Sequence, residues 1–277
     1  RYIMNAPEIG EYGGNGQISL SQVNGSEDMG WGGDLTVNFP LGDHAALRVS
    51  AARSDYPGIT DYVNLYQLDS TGAPVAPSGV LNPAAAYTSQ EDADTVDIWF
   101  GRASLLVRPT DTVDITLNYF HQSDDIGGRR GQTLGSDGFG NPYGEYESGS
   151  IQLEPSDREL DLVSLEANID LGFATLTSST SYYDHSGSSI SENTGFYAHA
   201  GFLGFYYNYP RPMASAVRTF ADESVVQEFR LVTDDGGNFD YVLGFYYQNQ
   251  DLVSTQQSYL RGFKRWWDTL YTGFPGI

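Results

Sequence analysis

Apolar and polar residues alternate with a period of two in segment after segment, and helical periodicity is hard to find, so nearly the whole chain reads as β. In residues 34–39, Leu35, Val37 and Phe39 share one face while Asp34, Thr36 and Asn38 share the other. Residues 97–108 set Trp99, Ala103, Leu105 and Val107 opposite Arg102, Ser104 and Arg108. In residues 112–120 the apolar set is Val113, Ile115, Leu117 and Tyr119, against Asp114, Thr116 and Asn118. Residues 162–170 set Val163, Leu165, Ala167 and Ile169 against Ser164, Glu166, Asn168 and Asp170. The pattern predicts about nine strands of about ten residues, the first near residues 17–21 and the last near residues 239–247.

The links between these strands have a rhythm. Tight turns are expected at residues 40–43, 109–111, 170–172 and 234–238, and long connections over 55–94, 123–157 and 184–223. Short and long links therefore alternate, as they do in a transmembrane barrel, where one rim carries turns and the other carries loops. Compact soluble domains seldom hold loops above about 12–15 residues. Strands of about ten residues cross a bilayer at a tilt, and the polar faces carry charges and amides suited to a wet lumen. The expected fold class is all-β: part of an antiparallel transmembrane β-barrel. A soluble β-sandwich also alternates and is the competing architecture.

Composition narrows the function classes. The chain of 277 residues has 36 Asp plus Glu against 14 Lys plus Arg, a net charge of -22. Binding nucleic-acid phosphates requires a basic footprint, so no nucleic acid is expected as a partner. With no cysteine, disulfides, thiolate metal sites and thiol nucleophiles are excluded. No run approaches the roughly 18 apolar residues of a spanning helix, and residues 1–7 lack a signal-peptide core. A membrane reading must therefore be a barrel. The 20 Tyr and 32 Gly beside a hydrophobic fraction of only 40% fit that reading, since only alternate strand residues face lipid and aromatic rings gather at the interfaces.

Four segments carry a resemblance: VNFPLGDHAALRVSAARSDYPGITDY (37–62), FGRASLLVRPTDTVDITLNYFHQ (100–122), LGFATLTSSTSYYDH (171–185) and VVQEFRLVTDDGGNFDYVLGFYYQ (225–248). In order and character they resemble the early barrel of TonB-dependent receptors, where a strand ending in a Pro-containing turn leads into an "ALR" strand and a Gly- and Asp-rich outer loop. The opening RYIMNAPE resembles the end of that family's plug. The resemblance implies residues 1–9 as the end of the plug and residues 10–277 as the N-terminal portion of a barrel of about 22 strands. It implies that most of the plug and the later strands lie outside this sequence, and Ile277 lacks the terminal aromatic that such barrels usually present. It further implies residence in the bacterial outer membrane among lipid and lipopolysaccharide, and contact with TonB through the plug. A small-molecule or oligosaccharide substrate, of the siderophore, cobalamin or glycan class, would be taken up by energised transport. A passive porin and a secreted glycan-binding β-sandwich are the alternatives.

Candidate binding residues lie in the long connections. Phe196, Tyr197, Phe202, Phe205, Tyr206, Tyr207 and Tyr209 concentrate flat rings that could stack on a ligand, or could simply pack a long loop against itself. Arg129 and Arg130, flanked by Gly127, Gly128 and Gly131, could clamp an anion through forked hydrogen bonds, or could be solvated loop charges. Arg102, Glu166, Glu228 and Arg230, on polar strand faces, could line a solute path or form cross-strand pairs. Asp124 with Asp125, and Asp137 with Asn141, lack the twelve-residue calcium-loop spacing. His44, His121, His185 and His199 fit no zinc motif, and no hydrolase or nucleotide fingerprint is present. Paired acids such as Glu91 and Asp92 are too frequent in so acidic a chain to nominate a glycosidase. No catalysis, metal or cofactor is expected.

Overall fold

The computed structural model describes residues 5–76, 85–233 and 240–270. Its main feature is a nine-stranded antiparallel sheet. The chain order is β1 (Gly13–Gln22), β2 (Met29–Pro40), β3 (Ala45–Tyr56), β4 (Asp61–Tyr66), β5 (Tyr87–Gln90), β6 (Val96–Thr110), β7 (Val113–Ile126), β8 (Glu147–Ser148), β9 (Ser156–Asp170), β10 (Ala174–Glu192), β11 (Ala214–Thr233) and β12 (Val242–Leu260). The large sheet runs β1-β2-β3-β6-β7-β9-β10-β11-β12, each strand pairing with the next, and β5-β4-β8 form a small second sheet. Of two short helices, α1 (Thr194–His199) lies in the connection between β10 and β11 and α2 (Phe263–Leu270) follows β12, and no described helix is long and apolar enough to cross a membrane.

This is the expected partial barrel, with its links alternating as predicted. The expected strand lengths need correction. Strands β10, β11 and β12 run 19, 20 and 19 residues, so the third long connection shrinks from 184–223 to 193–213. The tips were invisible because their pattern stops being amphipathic: 185–192 reads HSGSSISE. Ladder hydrogen bonds continue there without an apolar face, as they can where both faces are wet. The strand expected at 17–21 spans Gly13–Gln22, and the one expected at 239–247 is Val242–Leu260. The turn expected at 234–238 lies outside the described residues.

Cross-strand register sorts the side chains into two faces, because partners in an antiparallel ladder point the same way. One row reads Val37, Val49, Ala103, Tyr119, Val163, Tyr182, Val225. Its neighbour reads Phe39, Leu47, Leu105, Leu117, Leu165, Thr180, Gln227, Tyr247. This face is uncovered: Leu35 is 57% exposed, Leu117 44% and Leu165 46%. A β-sandwich would lay a second sheet over it.

The opposite face is polar and holds the start of the chain. Asn38, buried, donates to the Glu8 and Glu11 carbonyls at 2.9 and 2.7 Å and accepts from the Glu8 amide. Arg102 reaches the Asn5 carbonyl at 3.3 Å. Residues 5–11 therefore cross the polar face before turning into β1.

Candidate functional site

The connections 57–95 and 127–155 fold onto each other. In the small sheet β4 pairs antiparallel with β5 and parallel with β8, and Tyr62, Leu65 and Ala93 form a buried cluster against Leu153. Close backbone approach fixes two glycine positions. A Cβ on Gly58 would collide with the Asp92 carbonyl oxygen, and one on Gly127 would stand 2.6 Å from that of Ala93.

This packing decides where the two candidate arginines point. The Arg130 Nε donates to the Asp94 carboxylate at 2.6 Å, and the same carboxylate accepts from the Ile59 and Thr60 amides, both at 2.7 Å. Burial alone would raise the Asp94 carboxyl. The hydrogen bonds from Arg130 and from the two amides outweigh it and hold the group below the ordinary carboxylate range. Arg129 lies 3.4 Å from Glu154, and its backbone N–H and C=O both bond the Tyr62 hydroxyl at 3.0 Å. Burial pushes that phenol up to about 12. Both arginines thus serve in tying two loops together, and each side chain keeps part of its surface in solvent.

The aromatic candidates divide into two groups. Phe196, Tyr197, Phe202 and Phe205, on α1 and the 3-10 turn Phe202–Tyr206, form a chain of ring contacts from 5.8 to 6.2 Å. Phe196 and Phe205 stay 66% and 77% exposed. Tyr206, Tyr207 and Tyr209 face the other way, onto α2. Tyr206 meets Phe263 at 5.3 Å, Tyr207 meets Trp267 at 4.2 Å, and Tyr209, buried, meets Trp266 at 5.2 Å. Phe263, Trp266 and Trp267 were missed by the sequence reading. Their signal was the ring density in GFKRWWD, residues 262–268.

The remaining candidates stay apart. Asp137 closes its own turn, accepting from the Phe139 and Asn141 amides. Arg102 bonds Asn118 at 3.0 Å, not an acidic neighbour, and Glu166 accepts from Asn168 at 2.8 Å. One histidine does gain company. Register brings Glu159 and Asp161 beside His121, with donor atoms within 4.8 Å of one another, a grouping that linear spacing hides.

The fold is part of an antiparallel β-barrel. No protein-family model matches the chain, and no curated protein sequence matches it. Among solved structures it is similar to a mutant of PfeA, the ferric enterobactin receptor of Pseudomonas aeruginosa, with a TM-score of 0.53 and 14% identity. That match covers 90% of this chain and 32% of the receptor. The siderophore receptor PiuA of Acinetobacter baumannii matches with a TM-score of 0.31 and 14% identity, over 88% of this chain and 41% of that one. The chain therefore spans less than half the length of either receptor.

Proposed function

We propose that the chain is the N-terminal portion of the barrel of a TonB-dependent outer-membrane receptor, which takes up a scarce small molecule by energised transport. The observation that carries the membrane reading is an aromatic girdle on the uncovered face. Trp31, Trp99, Tyr119, Tyr182 and Tyr247 stand on that face, all between 41% and 53% exposed. Beyond Tyr119 and Tyr182 the next row along the strands changes character at once: His121, Asp161, Asp184, Glu223 and Asp251.

The girdle does not follow a single row of the sheet. Tyr247 on β12 shares its row with Phe39 on β2, eight residues below Trp31. Eight residues make about 27 Å along a strand, and the seven strand spacings from β2 to β12 make about 34 Å across. The girdle therefore slopes at about 40° to the rows. A membrane plane must cut the ladder at such an angle, because strands of outer-membrane barrels tilt by about 35–45°. A soluble sheet has no reason to align aromatic residues along that diagonal.

Transport through a plugged barrel is supported by Asn5 and Glu8 on the polar face, within the stretch that the family resemblance reads as the end of the plug. Residues 1–9 are read as that plug end and residues 10–277 as barrel, although residues 1–4 and 271–277 lie outside the described structure. The likeness to the ferric enterobactin receptor PfeA supports a small-molecule ligand. The complete protein should fractionate with the outer membrane, require detergent, and migrate differently on gels before and after heating. Its uptake should stop when TonB is removed or the proton gradient collapses. Uptake that continued would favour a passive porin, and a soluble protein without heat-modifiable migration would sink the barrel.

A further inference from the structure

The three long connections and the end of β12 converge on a cleft of about 400 Å³. Tyr66 contributes from the first connection, Leu153 from the second, Ile190 from the tip of β10, Met213 from the third connection, and Arg261 follows β12. Backbone hydrogen bonds fix its walls: Tyr66 N–H to the Ile151 carbonyl at 2.8 Å, Ile190 to Pro155 at 2.9 Å and Arg261 to Met213 at 3.1 Å. The volume lies in the range of small-ligand sites, which are mostly apolar with a few placed polar groups.

We propose that this cleft binds a small apolar molecule carrying a carboxylate or an equivalent anionic group. Two side chains argue for it. Gln152 is only 8% exposed, and its Oε1 accepts from the Ser215 hydroxyl at 2.6 Å. Gln152 is one of the residues lining the cleft, and its Nε2, shielded from solvent beside that lining, has no hydrogen-bond partner among the described residues. Buried amide donors are nearly always matched, so this one calls for an acceptor that the described residues do not supply. Arg261 supplies the charge. Nearby Lys264 and Arg265 are neutralised by Asp268 and Asp69 at 2.5 and 2.6 Å, whereas Arg261 makes no ion pair among the described residues and lies over the Tyr259 ring at 5.1 Å.

The lining gives the sign of the charge. In a chain of net charge -22, no Asp or Glu among the described residues lines this cleft. An anion entering it meets the Arg261 side chain beside that of Gln152, whose unpaired amide comes within reach once the side chain turns, with leucine, methionine and proline side chains for its apolar body. Arg129 and Arg130 are engaged elsewhere, and the exposed rings of Phe196 and Phe205 are not part of the lining. As the nutrient site, the cleft rests on the receptor reading above; as a binding site, it does not.

Naphthalene-2-carboxylate and its neutral methyl ester are suitable probes, titrated calorimetrically into the complete receptor in lipid nanodiscs. The carboxylate should bind saturably and at least fivefold more tightly than the ester. Gln152→Glu keeps an acceptor for Ser215 while placing a second carboxylate against the probe, so it should weaken carboxylate binding at least tenfold. Arg261→Gln should weaken it at least fivefold, with heat-modifiable migration retained in both variants. If Gln152→Glu fails to assemble, Gln152→Met together with Arg261→Gln decides the matter. Absence of saturable binding, or equal binding by wild type and variants, overturns the site. TonB-dependent uptake without probe binding would sink the cleft alone. Probe binding without TonB-dependent uptake would leave the cleft standing and sink the transport reading.

Discussion

Leu165 stands mid-row on the uncovered face between Leu117 and Thr180, and Asp161 stands two rows away on the same strand, beyond the girdle. The two positions separate lipid exposure from general tolerance. Leu165→Arg in the complete protein should cost about 2–4 kcal/mol of folding free energy in vesicles, and Asp161→Arg about 0–1. Urea titrations into phospholipid vesicles read both, and equal costs would remove the membrane from the account. In the outer loops the sensitive residue is Asp94, which is essentially buried while its partner Arg130 keeps more than half of its side chain in solvent. Arg130→Ala leaves the carboxylate with its two amide donors. The loss should therefore be about 1–2 kcal/mol, below that of a fully buried pair, and local to connections 57–95 and 127–155. Acid should do the same. Because the folded Asp94 carboxyl lies below its ordinary value of 3.8, its stabilisation is complete above that pH and fades as pH falls through the lower folded value. Hydrogen exchange of the two connections should accelerate below pH 3.8 in wild type, and the Arg130→Ala variant should respond at higher pH.

At the scale of the element, the aromatic connection couples to the segment after β12 through rings. Tyr207 against Trp267 is the shortest such contact, at 4.2 Å. Trp267→Ala should cost about 1 kcal/mol locally and raise exchange in residues 194–213 while leaving β10 and β11 protected. If β10 and β11 loosened equally, the rings would be supporting the barrel and not the loop. What the sequence revealed and what it hid divide along the same physical line. Membrane-level strand segments declare themselves, because lipid on one side and water on the other force a period of two, as in 34–39 or 162–170. Above that level the force vanishes, and the tips at 185–192 and 252–260 carry no alternating signal. The small sheet was equally hidden: β4 and β8 pair residues such as Asp61 and Glu147, far apart in sequence, with only two paired positions. The candidate arginines were correctly seen as loop residues. Their partners Asp94 and Glu154 could not be named without the fold, nor could a cleft that draws on residues as distant as Tyr66 and Arg261.

For the whole molecule the decisive feature is its pair of open edges. Among the described residues β1 pairs only with β2, and β12 only with β11. Every position of β1 is exposed, and so is every position of β12 except Leu260. Along the 19 residues of β12 and the 10 of β1, one side of the backbone offers N–H and C=O groups with no ladder partner. In hydrocarbon, each such group costs several kcal/mol, which is why spanning sheets close on themselves. In water, long flat edges with Leu243, Phe245 and Tyr247 beside them invite pairing with other copies. Neither solvent tolerates the sheet as it stands, so both edges should pair with strands outside this sequence. Residues 1–277 expressed alone should aggregate in water and give no heat-modifiable species in detergent, while the complete protein gives one. A soluble, monomeric and cooperatively unfolding product of these residues would overturn the membrane barrel and everything inferred from its girdle.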